Sequence, residues 1–408
     1  MDKKITPVLL GADLNCYNVA RAFHEQYGVK SYAFGRYAVS ATKYSKIINF
    51  KSIPNIDKDE IMLDTLHRFA DAHLGETMIL FGCTDDYVAM IIRNRSELSD
   101  FVIPYPDASL LSPLSKKAEF YETCDKFDIP YPSTVVLAEK TNASELTPEK
   151  LGFEYPIIVK PSSSADYWKF PFDGMKKVYV AKTPDEAENI ISDIYSSGYP
   201  EKMILQEFIG GGDSQMRVFT CFSDKNGKVR AMCLGHTMLE EHTPKGLGNH
   251  AAIVTEPVST LPVAEKIKEM LESIGYTGFS NFDIKLRAGT DDDFRVFEVN
   301  LRQGRSNFYM TAAGLNVARL VTELWDGVGN DCEACEKSVF WHHIPTGVAY
   351  KYTEDRSLVE KAKALKKSGN ESCSIWYKPD LMWNPLRFVC VMEQLRRQNK
   401  KFKIYYPK

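Results

Sequence analysis

Long hydrophobic runs are absent from this chain of 408 residues. No apolar stretch approaches the roughly 18 uninterrupted residues of a transmembrane helix, so the sequence predicts no stable insertion into a membrane. The first residues include lysines but no apolar stretch after them, and we therefore expect no signal peptide. A large surplus of one charge is also lacking: the net charge of −3 gives no reason to expect nucleic acid as a partner.

Cysteine is too scattered to form a disulfide framework. The nine cysteines are odd in number, which is typical of a chain in the reducing cytoplasm. Cys332 and Cys335 form a CxxC with only His342 and His343 nearby in the sequence. Because no second CxxC completes a ligand set, the pattern disfavours structural zinc.

A glycine-rich dinucleotide fingerprint is also lacking. The predicted strand 7–11 is followed by Ala12 and Asp13, not by the glycines that let a backbone approach a pyrophosphate. An NAD(P)-linked oxidoreductase is therefore disfavoured. Strands still alternate with helices over residues 1–113, which predicts an open α/β sheet. Asp85 follows a strand end, where such sheets bind ligands, although it could equally cap a helix.

Two runs in the C-terminal half predict a hairpin with an acidic face. They are separated by turn-type residues at 289–293. Since side chains alternate across a strand, Asp283 on the first run can share a face with Glu298 and Asn300 on the second. Facing acids would repel each other, but Mg²⁺ prefers such oxygen ligands and usually binds substrate phosphates as well. The alternative is a solvated hairpin whose acids never meet.

Arg302 and Arg305 follow this hairpin directly. They would place guanidinium groups beside the predicted metal. A cation, carboxylates and arginines together indicate phosphoryl chemistry on an acid substrate.

Further motifs occur in an order that resembles the ATP-grasp superfamily of carboxylate–amine ligases. Lys117 begins a predicted helix, with the aromatic Phe120 three residues later, and Lys160-Pro161 ends an apolar strand. The resemblance covers most of the chain. It implies an α/β fold with an α+β core, in which an ATP-grasp domain follows a Rossmann-like preATP-grasp domain.

The resemblance also implies roles for individual residues, with ATP and Mg²⁺ (two ions) as cofactors. Phosphate contacts fall to Lys117 and Lys160, adenine and ribose contacts to Gln206, Glu207, Phe208, Ile209 and Asp213, metal binding to Asp283, Glu298 and Asn300, and a phosphate or acyl-phosphate contact to Arg302. Either Arg302 or Arg305 could anchor the second carboxylate of an acidic amino acid, which leaves the other arginine to stabilise the acyl phosphate. Arg217 is a further phosphate candidate, for which a structural ion pair is an equal alternative. His236 is interpreted first as a core histidine.

Within the superfamily, the segments 8–15, 42–46, 232–236 and 300–306 most resemble the D-aspartate ligases of bacterial peptidoglycan synthesis. These enzymes activate the β-carboxylate of D-aspartate with ATP and couple it to the lysine ε-amine of a UDP-MurNAc-pentapeptide. One departure is the serine run 162–164 in place of a glycine-rich phosphate loop. Which backbone amides would contact phosphate is therefore left open.

The resemblance implies three regions and leaves alternatives open. They are a preATP-grasp domain at 1–113, an ATP-grasp domain at 114–325 with lobes 114–205 and 206–325, and a C-terminal extension at 326–408. The basic stretch near the end is interpreted as a solvated helix face. A homodimer is left open. So are ligation of another amino acid or acceptor and, as a different class, a non-catalytic nucleotide-binding protein.

Overall fold

Helices and strands alternate along the computed structural model, which describes residues 4–244, 246–327, 329 and 331–407. The strands, numbered in chain order, are β1 Ile5–Leu10, β2 Ser31–Gly35, β3 Ile48–Ser52, β4 Thr77–Gly82, β5 Phe101–Val102, β6 Thr134–Leu137, β7 Ile157–Pro161, β8 Tyr179–Ala181, β9 Met203–Glu207, β10 Met216–Ser223, β11 Val229–Glu240, β12 His250–Glu256, β13 Gly278–Leu286, β14 Phe294–Asn300, β15 Glu333–Ala334, β16 Phe340–His342 and β17 Glu371–Cys373. The α-helices are α1 Leu14–Tyr27, α2 Asp59–Asp71, α3 Asp85–Arg93, α4 Leu111–Ser115, α5 Lys117–Lys126, α6 Pro148–Leu151, α7 Ser164–Tyr167, α8 Pro184–Ser196, α9 Ala264–Ser273, α10 Phe308–Ala312, α11 Val317–Arg319, α12 Thr346–Tyr352, α13 Arg356–Lys367, α14 Lys378–Leu381 and α15 Pro385–Tyr405.

A five-stranded parallel sheet occupies the start of the first of two compact units, which comprises residues 1–108, 212–283 and 300–408. Its strand order is β3-β2-β1-β4-β5, and β1 pairs with β2 and β4 on its two sides. Asp13 caps α1 by accepting from the Cys16 amide, and Gly28 ends the helix with φ 66°. The predicted open α/β sheet is confirmed. Strand β3 has no sequence signal because it is an edge strand whose side chains are mostly exposed.

A larger sheet with the strand order β14-β13-β10-β11-β12-β16-β17 contains the long antiparallel strands of the chain, and β15 adds to β11. The predicted turn between β10 and β11 is present. Asp224 Oδ1 fixes it by accepting from the amides of Asn226 at 2.8 Å and Lys228 at 3.0 Å. Strands β13 and β14 each extend beyond the first unit, whose boundaries fall after Asp283 and before Asn300. Because β13 and β14 are neighbours in this sheet, the predicted hairpin strands are confirmed.

The residues after Ser306, up to about Trp325, are predicted from the sequence to form one helix, and as a continuous element this prediction is wrong. The structure has α10, then α11, then a π-helical turn over Leu320–Leu324. Gly314 adopts φ 104°, a conformation that ends the first helix, and Asn316 caps the second by accepting from two amides. Apolar spacing alone cannot show these interruptions.

The second unit comprises residues 109–211 and 284–299 and contains a four-stranded antiparallel sheet. Its strand order is β6-β9-β7-β8. Helix α8 begins with a Thr183 cap and a proline at its first position. Its buried Ile191 and Ile194 belong to one apolar cluster with Ile157, Val159 and other side chains of the unit.

Across the described ranges, no helix combines the length and apolar character needed to cross a membrane. The three-region division made from the sequence stays a prediction.

Candidate nucleotide and amino acid sites

The second unit holds a buried lysine among polar partners. Lys160, near the end of β7, donates to Gln206 Oε1 at 2.8 Å and lies 3.5 Å from the Tyr121 hydroxyl. Gln206 Nε2 donates to the same hydroxyl at 2.9 Å and to Thr134 Oγ1 at 2.8 Å. Tyr121 in turn donates to the Phe297 carbonyl at 3.1 Å. The lysine is thus held by neutral groups, and no carboxylate among the described residues forms an ion pair with it.

Burial has a large effect on this lysine. Together with the charge of Lys117, burial lowers the pKa of Lys160 to about 7, and Glu298 only partly offsets this. Proteins rarely bury lysine without an anionic partner. A phosphate group of a ligand could serve as the anionic partner of Lys160.

Lys117 and Glu298 form the second predicted pair in this unit. Lys117 begins α5, and its Nζ lies 3.0 Å from Glu298 Oε2 on β14. The charge of Lys117 holds the pKa of the Glu298 carboxyl well below its ordinary value, although burial opposes this. The two lysines and the glutamate therefore belong to one charged cluster.

The predicted adenine segment ends strand β9. Glu207 accepts from the Ser133 amide at 2.8 Å and forms an ion pair with Arg287 at 3.1 Å, so its carboxylate has a local structural role. Phe208 is half-exposed, whereas Ile209 is buried. Binding of adenine by residues 206–209 stays a prediction.

In the first unit, Asp283 and Asn300 meet as the hairpin predicted. Asn300 Nδ2 donates to Asp283 Oδ2 at 3.3 Å, and His250 Nε2 lies 3.5 Å from Asp283 Oδ1. The carboxylate of Asp283 and the amide oxygen of Asn300 are the atoms that Mg²⁺ would take, and both are hard oxygen ligands. The residues fit the ion. Their role as ligands, with Glu298, stays a prediction.

No group of three or more histidine, cysteine, aspartate or glutamate side chains within the described ranges is arranged to hold a metal ion. The predicted set of two acids and an amide is a different combination of side chains. All nine cysteines, including Cys332 and Cys335, are free.

Asp213, Arg217 and His236 are engaged in structural contacts. Asp213 Oδ2 accepts from the Glu240 amide and from His242, both at 2.9 Å. Arg217 lies 3.5 Å from Glu256, which also accepts from His236 Nδ1 at 3.0 Å. The ion-pair alternative for Arg217 is thus present, and its phosphate role stays a prediction.

A network of buried amides holds the loop that carries the two predicted arginines. Gln303 Nε2 donates to the Gly82 carbonyl at 3.1 Å. Asn15 at the start of α1 donates to the Gln303 carbonyl at 3.3 Å and accepts from Asn307 at 2.9 Å. Gly304 packs so closely that a Cβ there would lie 2.7 Å from Asn281 Oδ1. The loop is therefore fixed to the carboxyl ends of β1 and β4.

Arg302 is held by a bidentate ion pair. Its Nε and Nη2 donate to the two oxygens of Asp85 at 2.6 and 3.0 Å. Thr84, not Asp85, caps α3 with its side chain. Asp85 therefore positions Arg302. The place of Asp85 after a strand end had indicated a ligand contact only in general terms.

Arg305 pairs with a buried acid that the sequence did not indicate. Its Nη1 donates to Glu241 Oε1 at 3.0 Å, and His343 Nε2 lies 3.2 Å from the same oxygen. Burial opposes ionisation of Glu241, but His343 and Arg305 outweigh it and lower its pKa to about 2. About a third of the Arg305 side chain remains exposed. A guanidinium group and a buried carboxylate thus lie side by side.

Several site residues lay beyond the reach of sequence reasoning. Tyr121 directly follows the aromatic Phe120 of the predicted motif, and Phe120 itself is buried. Glu241 and His343 carry no local signal in the sequence. Their roles come from partners distant in sequence.

The chain is similar to known proteins over most of its length. A D-aspartate ligase of Enterococcus faecium (strain Aus0004) is 37% identical over 391 residues, which cover 93% of this chain and 92% of that one. The chain belongs to the D-aspartate ligase family. The predicted resemblance is therefore confirmed. No protein-family model matches the sequence.

Solved structures place this D-aspartate ligase family member in a wider fold group. A biotin carboxylase domain of 2-oxoglutarate carboxylase from Hydrogenobacter thermophilus, in complex with MgADP and bicarbonate, has a TM-score of 0.59 at 13% identity and covers 82% of this chain and 73% of its own. An L-amino acid ligase from Bacillus licheniformis has a TM-score of 0.54 at 13% identity, with coverages of 79% and 74%. Phosphoribosylamine–glycine ligase from Thermotoga maritima has a TM-score of 0.54 at 17% identity, with coverages of 82% and 78%. The ATP-grasp fold is confirmed, and the chain is an ATP-dependent carboxylate–amine ligase that forms C–N bonds.

Gly304→Ala should destabilise the arginine loop, because its Cβ would lie 2.7 Å from Asn281 Oδ1. We expect a cost of about 1–3 kcal/mol, measured as a lower thermal midpoint, together with reduced turnover. Gly347→Ala is the matched control, since that glycine lies in α12 with nothing within 4 Å of a Cβ. Equal midpoints for both variants would contradict the close approach.

Lys160 should make ATP binding depend on pH. Its pKa of about 7 in the folded protein, against an ordinary 10.5, means that the unfolded chain binds more protons between these values. The contribution of Lys160 to the free energy of unfolding therefore rises with pH across that window. A bound phosphate restores the lysine charge. At about pH 8.5, ATP binding should then be accompanied by the uptake of roughly one proton. The affinity for ATP should fall as pH rises above 7.

Calorimetry in buffers of different ionisation enthalpy measures this uptake. Lys160→Met and Lys160→Arg do not titrate in this range and should lose it, whereas Lys126→Arg on the surface should not. The same uptake in all variants would assign the proton to another group.

Proposed function

We propose that this ligase activates the β-carboxylate of D-aspartate with ATP and couples it to the lysine ε-amine of a UDP-MurNAc-pentapeptide. ADP and phosphate are released. The observation that supports this most is the 37% identity to a D-aspartate ligase across nearly the whole chain. The Arg305–Glu241 pair supports an amino acid as the acid substrate.

The nucleotide phosphates are proposed to contact Lys117 and Lys160 in the second unit. Two cations, one of them buried without a carboxylate partner, can balance the negative charge of a triphosphate. Mg²⁺, when bound, would neutralise charge on the transferring phosphoryl group. Glu298, Asp283 and Asn300 are its proposed ligands.

The amino acid is proposed to bind at Arg305 and Glu241 in the first unit. An amino acid carries a carboxylate and an ammonium group, and this pair offers one opposite charge for each. The planar guanidinium of Arg305 can bind a carboxylate in a bidentate manner, which lysine cannot. Aspartate has a second carboxylate. One can therefore be anchored while the other reacts.

The reaction needs no protein nucleophile. A carboxylate oxygen attacks the γ-phosphorus, the bond to ADP breaks, and an acyl phosphate forms. Arg302, oriented by Asp85, is proposed to stabilise its negative charge. The amine then attacks the acyl carbon and phosphate leaves, in surroundings that must exclude water because hydrolysis would destroy the intermediate.

Glu298→Gln tests the metal and phosphate cluster. Neutralising this carboxylate removes a hard ligand and the partner of Lys117, so we expect turnover to fall roughly 100-fold while the fold is kept. Steady-state ADP release measures the effect. Glu360→Gln, an exposed acid on α13 that pairs with Lys363, is the control. Turnover near that of the unmodified protein at ordinary Mg²⁺ would show that the hairpin face is merely solvated.

The substrate assignment is tested by ADP release with different amino acids. D-Aspartate should stimulate it far more than D-alanine or L-glutamate, and most with a lysine-containing muramyl peptide present. Mass spectrometry should detect the acceptor plus one aspartyl residue, joined as an amide. If D-alanine or L-glutamate gives the greater stimulation, another amino acid is the substrate. Turnover of ATP that no carboxylate increases would contradict the ligase mechanism.

Arg305→Lys tests the anchor separately. Charged hydrogen bonds contribute about 1.5–3 kcal/mol each, so the KM for aspartate should rise at least about tenfold, with little change in the KM for ATP. Arg356→Lys is the control, because this exposed arginine donates to the nearby Tyr350 carbonyl and lies in α13. An equal rise in both KM values would place Arg305 outside the amino acid site.

A further inference from the structure

The solvent face of α15 exposes an apolar surface in its first turns. We call this surface the C-terminal apolar patch; it consists of Met382, Trp383, Leu386, Phe388, Val389 and Met392. Trp383 is 89% exposed and Val389 is 64% exposed. Trp376, also exposed, packs against Phe388 with ring centroids 5.9 Å apart. Exposed apolar side chains are normal singly, but a group of them indicates an interaction surface.

The opposite face of α15 explains why these residues point outward. Arg387, Val391, Gln398 and Phe402 are buried at helical spacing and define the side that packs on the first unit. Arg396, Lys400 and Lys403 lie on the same outward side as the patch, one to three turns further along. The outward side is therefore apolar at its start and basic towards its end.

The backbone around the patch is held in an uncommon conformation. Trp383 has φ 59°, and Tyr44 beside it has φ 61°. Asn384 Nδ2 donates to the Tyr44 carbonyl at 2.7 Å, and Lys46 Nζ donates to the Met382 carbonyl at 2.5 Å. Left-handed conformations are unfavourable for residues of this size. They persist where surrounding structure enforces them, often at binding sites.

A buried ion pair supplies that enforcement. Arg387 Nε donates to Asp380 Oδ2 at 2.9 Å, and both side chains are fully buried. Asp380 also accepts from the Lys46 amide at 2.6 Å and from Tyr17 at 2.9 Å. Arg387 Nη1 reaches the Ser40 carbonyl at 3.0 Å. The turn that presents Trp383 to solvent is thus rigid.

Charge distinguishes between possible occupants of this surface. The segment 376–405 has seven lysines and arginines against two acids, in a chain whose net charge is −3. Asp380 and Arg387 neutralise each other in the interior, and Glu393 pairs with Arg396 and Arg397. The seven cations less the two acids leave the segment with a net charge of +5. A second copy docked face to face would bring like charges together. An anionic surface would be attracted.

We propose that the C-terminal apolar patch and the basic turns of α15 form a peripheral docking surface for a lipid bilayer with anionic headgroups. Aromatic rings favour the boundary between headgroups and acyl chains. Basic side chains near an anionic leaflet add electrostatic attraction that salt screens. The helix lies on the bilayer and does not cross it. This inference is independent of the substrate assignment.

Vesicle sedimentation of the full chain tests the proposal. With vesicles of phosphatidylcholine containing about one third phosphatidylglycerol, binding should exceed that to pure phosphatidylcholine by about tenfold, and it should weaken at high salt. Trp383→Ser/Val389→Ser and Lys400→Glu/Lys403→Glu should each lower binding at least about fivefold. Both double variants should retain the ligase activity of the unmodified protein.

Two matched controls lie elsewhere on the surface. Leu74→Ser removes an exposed leucine, and Lys363→Glu/Lys367→Glu makes the same charge change on α13. Neither should alter vesicle binding. Equal binding to both vesicle types, or equal loss in the controls, would overturn the proposal. So would absence of vesicle binding together with a dimer that Trp383→Ser converts to monomer, because the occupant would then be a second copy.

Discussion

The buried amide network of Asn15, Gln303 and Asn307 is the constraint on which the loop that carries Arg302 and Arg305 depends. It joins the loop after β14 to the start of α1 and to the end of β4. Buried amides without partners are costly, so each hydrogen bond favours one loop conformation over its alternatives. That conformation directs Arg302 to Asp85 and Arg305 to Glu241. If the arginines bind substrate as proposed, this fixed orientation lowers the entropy cost of binding.

The two units handle charge differently. In the first unit, Arg302 and Arg305 have carboxylate partners, so the proposed substrate would exchange with an existing ion pair. In the second unit, Lys160 is buried against an amide and a hydroxyl and has lost much of its preference for the proton. A phosphate would restore that preference. The proposed nucleotide binding would therefore be coupled to protonation in a way that the proposed acid binding would not.

The C-terminal segment combines rigidity with exposure. The Asp380–Arg387 pair is fully buried and anchors α15 through contacts with α1 and the loop near Ser40. Removing one partner of a buried ion pair destabilises a protein by much more than the intact pair stabilises it. The same anchor holds Trp383 in solvent. An exposed apolar surface that a buried ion pair holds in place is better explained by the binding of a partner than by chance.

Local patterns determined much of this protein from the sequence alone. The alternation of strands and helices, the hairpin of β13 and β14, and the positions of Lys117 at a helix start and Lys160 near a strand end are short-range features. Each is present in the structure, since its signal lies within a few residues. The roles of the two lysines stay predictions. The tertiary structure decided the rest. Arg302 and Asp85 are 217 residues apart, and Arg305 and Glu241 are 64 apart. Neither partner choice leaves a periodic trace. Gly314 and Asn316 interrupt a helix that apolar spacing predicts as continuous, since spacing does not report caps. The sequence determines the residue types and their order. The pairing of side chains, their burial and the pKa values that follow arise only when distant segments pack together.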